Sequence, residues 1–306
     1  MIANKPKNKI NIYTKILVAS LLLLSNALFA NEAVSEINGK IDSAYGNLNS
    51  SSGWITEGSF SVPVADTFGF QMDGLYADVE DVDFRGFGGH FFWRDHEVGL
   101  LGIALGGVWG NLVDSYELSL EGEYYMNWVT FGAKFGYAEI KYNEPAPFIE
   151  TDESKLFGML YATVYPTDNL SISVGLENRF DNNSLRMDAE YELPVNGLSL
   201  FTRTMVAEND YDHVLFGLRY YFGGEKSLKK RHRHDDPRSI VQDIQFGLGT
   251  YGAEYNRRGN NYIQNNGGRG SFDNFGGVTV FNTVNDLNNN HHDFQVVFTP
   301  NLPNSD

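Results

Sequence analysis

Between Glu36 and Phe222 the chain alternates apolar and polar side chains with a period of two, in segments separated by turn residues. This alternation is typical of β-strands that have one apolar and one polar face. The segments span residues 36–46, 54–64, 67–78, 84–94, 98–109, 115–126, 128–140, 155–165, 169–179, 184–193, 198–207 and 212–222. Each is close to the ~9–11 residues of a tilted transmembrane strand. The pattern predicts an all-β protein with about twelve antiparallel strands.

Segment 115–126 has the clearest register, since Tyr116, Leu118, Leu120 and Tyr124 alternate with Glu117, Ser119, Glu121 and Glu123. A charged side chain on the lipid face of a membrane barrel is costly, so the glutamates must face inward. Segments 84–94, 98–109 and 198–207 alternate poorly, and their facing stays open.

The connections between these segments alternate in length. Short ones lie at 65–66, 95–97, 127, 166–168 and 194–197, and longer polar ones at 46–53, 79–83, 110–114, 141–154, 180–183 and 208–211. Outer-membrane barrels have short periplasmic turns and longer external loops. We therefore expect a closed up-and-down transmembrane barrel, and its even strand number would leave both ends in the periplasm.

A soluble antiparallel sandwich or barrel would also alternate, because its strands have one wet face. Aromatic residues near strand ends favour the membrane instead: Trp54, Trp93, Trp128, Tyr165 and Tyr221. The N-terminus agrees, since Lys5, Lys7, Lys9 and Lys15 precede an apolar run at 16–24 and a small-residue site at 27–30. Residues 1–30 are thus predicted to be a removed signal peptide, because the run is shorter than the ~20 residues of a spanning helix. Residues 31–222 would then form the barrel.

Charge and composition limit the binding partners and the chemistry that the protein can have. Without residues 1–30 the chain keeps 19 basic against 39 acidic residues, which argues against a nucleic-acid partner. The absence of Cys excludes disulfides and thiol chemistry. The mean hydropathy of -0.32 fits a membrane barrel, because only alternate strand residues face lipid.

The last segment places Val214, Phe216, Leu218, Tyr220 and Phe222 on every second position. It resembles the closing strand of bacterial outer-membrane barrels, which implies recognition by the barrel assembly machinery, contact with outer-membrane lipids and an outer-membrane location. Residues 89–95, 98–102, 165–170 and 223–237 also resemble a group of uncharacterised proteobacterial porin-like outer-membrane proteins. That similarity covers most of residues 50–240 and implies a fold and a location, but no activity.

Residues 223–306 form a tail that begins with the basic run 225–237 and continues rich in Asn and Gly. Low complexity predicts a largely disordered periplasmic segment, with isolated strands at 240–248 and 277–284. The basic run could be a solvated spacer, or it could contact anionic lipid or a periplasmic partner such as the cell wall. His232, His234, Asp235, Asp236, His291 and His292 have no closed-site spacing, so we predict no metal and no other cofactor.

Twelve strands are intermediate between a filled and an open barrel. The predicted pore lining consists of Glu117, Glu121, Glu123, Lys134, Glu177, Arg186, Asp188, Glu190, Arg203 and Arg219, and other inward positions are Lys40, Asp42, Glu57, Gln71, Asp73 and Glu192. Acids outnumber bases there, which favours cations. Alternatively, Arg186, Arg203 and Arg219 could close the interior by pairing with Glu190, Glu192 or Glu177.

The expected function is a porin-like channel for passive diffusion of small hydrophilic solutes, with a mild cation preference. A structural or surface-interaction barrel without transport is the first alternative, and a lipid-modifying enzyme is the second. We expect no enzyme, because His90, His96 and His213 show no triad spacing with a serine and an acid.

Overall fold

The computed structural model describes residues 32–49, 51–79, 82–110, 113–142, 152–208, 210–235 and 237–265, with side chains as far as Ala253. The predicted signal peptide, the predicted strand at 277–284, Asp236 and the His291–His292 pair lie outside these residues. Twelve strands are present: β1 Asn38–Leu48, β2 Ser51–Ala65, β3 Phe68–Val79, β4 Val82–Asp95, β5 Gly99–Gly110, β6 Val113–Met126, β7 Val129–Tyr142, β8 Glu153–Thr167, β9 Leu170–Arg179, β10 Asn182–Glu192, β11 Leu198–Ala207 and β12 Asp212–Phe222. The number of strands and their positions are as predicted.

Every strand pairs antiparallel with its neighbours in sequence, and β1 pairs with β12 to close the barrel. The closing ladder runs from Gly39 opposite Phe222 to Leu48 opposite His213. Closure leaves no unpaired strand edge, so the backbone polar groups of the wall are satisfied by neighbouring strands. The predicted all-β, up-and-down, closed barrel is confirmed.

The outer surface of the barrel is apolar and its interior is polar. In β6, Leu118 and Leu120 are exposed on the outside, whereas Glu117 and Glu121 are buried on the lumen side. The side chains of the predicted assembly-signal face in β12 are also exposed on the outside: Val214, Phe216, Leu218, Tyr220 and Phe222. A closed barrel with an apolar outer face is the β-structure that hydrocarbon accepts, so the strands span a membrane. Recognition of β12 by assembly machinery stays a prediction.

The two rims of the barrel carry different parts of the chain. We call the rim with the start of β1, the end of β12 and the connections 66–67, 96–98, 127–128, 168–169 and 193–197 the terminal rim, and the opposite one the distal rim. The distal connections are 49–50, 80–81, 111–112, 143–152, 180–181 and 208–211. The predicted difference in loop length is wrong for most of them, because the strands extend into the polar segments. Only the connection at 143–152 is long.

Two helices follow the barrel: α1 Leu228–His234 and α2 Ile240–Asn265. The strand predicted at 240–248 is wrong, because this segment is the start of α2 and lies inside the barrel. Ile240, Ile244 and Leu248 recur every four residues, which is a helical period, and all three are buried. The described part of the predicted periplasmic tail is therefore mostly helical, and its residues as far as Ala253 lie in the lumen. None of the helices described here is long and apolar enough to span a bilayer.

Helix α2 explains why β4 and β5 alternate poorly. Their lumen faces carry small and apolar residues, and an added Cβ at Gly88 would lie 2.4 Å from Cγ2 of Ile240. An added Cβ at Gly86 would lie 3.2 Å from Cβ of Val241. The lumen face is therefore small and apolar along β5 and in β4 as far as Gly88, whereas His90 and Arg94 add polar groups to the rest of the β4 lumen face.

A charge on the lipid face should destabilise the barrel according to its depth. Leu120 lies midway along β6 and Met126 ends it, and both are at least half exposed on the outside. We expect Leu120→Arg to lower the free energy of unfolding in vesicles by about 2–4 kcal/mol, and the matched Met126→Arg by about 0–1 kcal/mol. Urea titration followed by tryptophan fluorescence measures both, and equal losses would contradict the assigned membrane position.

Candidate functional site

The lumen is occupied by a part of the chain that follows the wall. We call the described residues from Lys226 to Ala253 the plug; they comprise α1 and the first half of α2. The plug contacts the wall at the terminal rim, at mid-depth and at the distal rim. These three levels define the candidate site.

At the terminal rim, two arginines of α1 tie the plug to turns of the wall. Arg233 Nη2 donates to the carbonyl oxygens of Met126, at 2.7 Å, and Val129, at 2.8 Å. Arg231 is fully buried and donates to Asn196 at 2.9 Å, with Glu192 at 3.4 Å. The basic run is therefore not only a solvated spacer, because it supplies hydrogen-bond donors to turns that have spare acceptors.

The N-terminal segment also closes this rim. Ala33 and Val34 are buried with Phe92, Leu100 and Tyr125. Ser35 Oγ donates to Asp235 Oδ1 at 3.0 Å, which links the segment to the end of α1.

The described His and Asp residues of the basic run, whose side chains are of types that bind metals, each contact a different partner. His232 contacts Glu190, Asp235 pairs with Lys226, and the His234 ring stacks on His96 at 4.2 Å between centroids. Burial, the His96 ring and nearby cations lower the pKa of His234 to about 4, so it is neutral at pH 7. Among the residues described, no group of three or more His, Asp or Glu side chains is arranged so that it could hold a metal ion.

At mid-depth, the start of α2 is held by Asp73 of β3. The backbone N–H of Ile240 donates to Asp73 Oδ2 at 2.9 Å, and Gln71 Nε2 donates to the Pro237 carbonyl at 3.3 Å. A helix N-terminus has free N–H groups and a partial positive charge, so a carboxylate stabilises it. His90 contacts the same Asp73 oxygen at 2.9 Å and Glu121 at 2.8 Å, and it fixes both carboxylates.

One turn further along α2, Asp243 is the central ionic contact between plug and wall. Its Oδ2 accepts from Lys134 Nζ at 2.5 Å, and its Oδ1 accepts from Arg186 Nη1 at 2.6 Å. Arg186 also pairs with Glu177 at 2.5 Å, and Arg179 bridges Glu177 and Glu117. All of these side chains are buried, so the plug carboxylate completes a network that spans β6, β7, β9 and β10.

A second network lies on β1, β2, β10, β11 and β12. Arg203 pairs with Glu57 at 2.8 Å, and Arg219 pairs with Asp42 at 2.8 Å and with Glu190. The plug joins it through Gln242, whose side-chain oxygen, in the orientation that satisfies both groups, accepts from Arg203. Arg238 of the plug donates to Asp188 at 2.8 Å.

At the distal rim, α2 passes between aromatic side chains. Tyr251 is buried, its hydroxyl contacts that of Tyr142, and its ring meets Phe180 with centroids 5.1 Å apart. Phe246 packs on His213 with centroids 4.3 Å apart. The plug thus runs the full depth of the lumen.

A polar cavity of about 110 Å³ remains beside the plug, on the side of β8 to β12. Its lining includes charged groups of both signs: Lys40, Glu57, Glu123, Asp188, Arg219 and Arg238. Space of this size holds a few water molecules, since each occupies about 30 Å³ of liquid. With the plug in place, the lumen is nearly filled.

All predicted pore-lining residues lie on the lumen side of the wall, although their role in a pore stays a prediction. Each predicted acid has a partner: Glu117, Glu121 and Glu177 are described above, Glu123 accepts from Tyr125 and Tyr161, Asp188 pairs with Arg238, and Glu190 with Arg219. Of the alternative arginine pairs, Arg186 with Glu177 and Arg219 with Glu190 are observed, whereas Arg203 pairs with Glu57 instead.

Sequence reasoning missed other charged residues of the lumen. They are His90, Arg94 and Arg179 on the wall, and Arg231, Arg233, Arg238 and Asp243 on the plug. Arg179 could have been found, because it continues the inward series of Ser171, Ser173 and Glu177. The helical period of Ile240, Ile244 and Leu248 was the available signal for the plug.

Neither a protein-family model nor a curated protein matches the chain. Solved barrels resemble it in structure. The KdgM porin in complex with disordered oligogalacturonate shows 11% identity and a TM-score of 0.47 over 60% of this chain and 99% of that one. The NanC porin shows 8% identity and a TM-score of 0.48 over 59% of this chain and 98% of that one. The outer membrane protein Omp33 of Acinetobacter baumannii shows 8% identity and a TM-score of 0.40 over 61% of this chain and 99% of that one. Such low values say nothing about the activity of the present chain, and the similarity to uncharacterised proteobacterial proteins stays a prediction.

Loss of the Asp243 carboxylate should loosen the plug. Asp243→Asn leaves Lys134 and Arg186 buried without their shared partner, which costs about 3 kcal/mol or more. Amide hydrogens of residues 241–251 should then exchange about 100-fold faster in hydrogen–deuterium exchange, while those of the wall strands keep their protection. The matched control is Asp212→Asn, because Asp212 is exposed. Unchanged exchange in α2 would show that Asp243 does not hold the plug.

Proposed function

We propose that the protein is a bacterial outer-membrane barrel of porin type whose lumen is closed by its own C-terminal plug. Small hydrophilic solutes diffuse through the lumen when the plug leaves the wall. The proposal rests on what occupies the lumen. Helix α2, which is not part of the wall, fills most of it, so the wall side chains do not fill it alone. Removal of such a segment leaves a twelve-strand barrel with a wide polar interior.

The polar contacts of the plug are of a kind that water can replace. They are hydrogen bonds and ion pairs to Asp73, Lys134, Arg186 and Asp188. Other plug side chains, including Ile240, Val241 and Ile244, belong to an apolar cluster shared with the wall. Charged groups on both sides become hydrated when they separate, and this hydration offsets part of the cost of breaking the ion pairs. The cavity beside β8 to β12 is where water enters first, because the wall there carries Ser171, Ser173 and Thr163.

The proposed ion selectivity follows from what leaves with the plug. Arg231 and Arg238 neutralise Glu192 and Asp188 in the closed state. Without them the wall has an excess of carboxylates, which concentrates cations in the lumen. The open channel therefore has a mild cation preference.

The orientation belongs to the same proposal. The terminal rim faces the periplasm, as expected for an even-stranded barrel whose chain enters after removal of an N-terminal signal peptide. The distal rim, with the long connection 143–152, faces outside.

A second candidate is a structural barrel that conducts nothing. It is favoured by the buried network around Asp243, in which the described charged groups of plug and wall satisfy each other. The lipid-modifying alternative gains no such support. His90 is buried between Asp73 and Glu121, and His213 is buried against Tyr211 and Phe246, so neither faces lipid.

A disulfide between plug and wall should abolish conductance reversibly. The natural chain has no Cys, and the Cβ positions at Gly86 and Val241 would lie 3.2 Å apart, close to the ~3.5–4.5 Å of a disulfide. We expect oxidised Gly86→Cys/Val241→Cys protein to be silent in planar bilayers and to regain wild-type openings after reduction. The two single variants are controls and should not respond to oxidation. Equal conductance of the oxidised and reduced forms would exclude plug movement as the gate, and silence of the inserted wild type under all conditions would leave the structural barrel.

The reversal potential of open channels in a salt gradient tests the selectivity. We expect a cation bias that falls when Glu121 and Glu123 are changed to Gln, because both carboxylates line the lumen. Glu139→Gln is the matched control, since Glu139 lies at an outward position of β7 and pairs with Lys141. A bias that the double variant leaves unchanged would assign the selectivity to other residues.

A further inference from the structure

We infer that the barrel carries its own C-terminal segment through the lumen and presents it beyond the distal rim. This is a display function, separate from conduction, because it depends on the path of the chain and not on movement of the plug. It also revises the expectation that both termini are periplasmic.

The contacts of the plug follow one direction along the sequence. Arg233 binds carbonyls of the β6–β7 turn at the terminal rim. Ile240 and Asp243 meet Asp73 and Lys134 within the lumen. Tyr251 then contacts Tyr142, the last residue of β7, at the distal rim. The chain thus enters at one rim and reaches the other without turning back.

The helix continues past that rim. Helix α2 ends at Asn265, and Tyr251 already lies at the level of the distal connections. At about 1.5 Å per residue, the remaining helix extends about 21 Å further. A continuous helix cannot reverse within this length, so residues 254–265 leave the barrel at the distal rim.

The glycines of α2 give independent support for a through-going path. An added Cβ at Gly247 would lie 2.6 Å from Cδ of Arg179, and one at Gly249 would lie 2.3 Å from the hydroxyl oxygen of Tyr211. Glycine destabilises a helix, so its presence at these closest approaches requires a reason. Glycine is needed at these positions because a larger side chain would collide with the wall, which lies close to the helix there.

The sequence after the helix suits an aqueous surface. Residues 266–306 are rich in Asn and Gly, including Asn288–Asn290. With the distal rim outside, as the proposed orientation has it, this segment is offered to the surroundings of the cell. The barrel then attaches this segment to the membrane, and its lumen is the path by which the chain reaches the outside.

Single cysteines test the path, because the natural chain has none. Gln264→Cys reports the end of α2, and Asn289→Cys reports the following segment. Asp152→Cys marks the distal rim and Asp66→Cys the terminal rim, and both natural side chains are exposed. Intact cells are treated with a membrane-impermeant maleimide before and after permeabilisation of the outer membrane.

The expected result is that Gln264→Cys and Asn289→Cys label together with Asp152→Cys, and that Asp66→Cys labels on the opposite side. Labelling of the two tail positions together with Asp66→Cys would overturn the inference. The comparison is between rims, so it decides the path even if the barrel sits in the reverse orientation. It is also independent of conductance: a silent protein can display its tail, and a conducting one can fail to.

Discussion

Buried charge in the lumen must be matched, and the rest of the structure depends on this constraint. A closed barrel satisfies its own backbone, so the side chains that point inward have only each other, the plug and a little water as partners. Lys134 and Arg186 would be left in excess near Glu177 without Asp243, and Glu192 would be left without Arg231. Charged groups of the plug therefore neutralise charged groups of the wall, and the closed lumen is stable because both are present.

The plug lies asymmetrically in the lumen. On one side, Ile240 and Val241 pack against the glycine positions of β4 and β5, where the contact is apolar and close. On the other side, Gln242 and Arg238 face polar strands across a small cavity. Apolar contact gains from the exclusion of water, whereas the polar contact tolerates water. A plug built in this way loosens first along its polar side.

The strands of the wall could be predicted from the sequence, whereas the plug in the lumen could not. Period-two alternation located all twelve strands, and in β6, β9 and β10 it also gave the correct facing, because lipid and a charged lumen impose opposite requirements on neighbouring residues. It failed in β4 and β5, where most lumen positions are small or apolar because they face α2. The plug was missed because the tail that contains it is rich in Gly and Asn as a whole, which indicates disorder, although Ile240, Ile244 and Leu248 have helical spacing. No local pattern could have paired Asp243 with Lys134 and Arg186, which are distant in sequence and meet only when the barrel closes.

The connection between the wall and α1 is short, since residues 223–227 alone separate the end of β12 from the start of α1. The positive φ angles of Gly223, at 88°, and Gly224, at 66°, let the chain turn sharply from the wall into the lumen. A short tether keeps a released segment at a high effective concentration near its own binding site, in the millimolar range for flexible linkers of about this length. The reinsertion that our proposal requires is then a unimolecular event whose rate does not depend on protein concentration. The resting state of each barrel is set by its own chain, and no neighbouring molecule is needed to restore it.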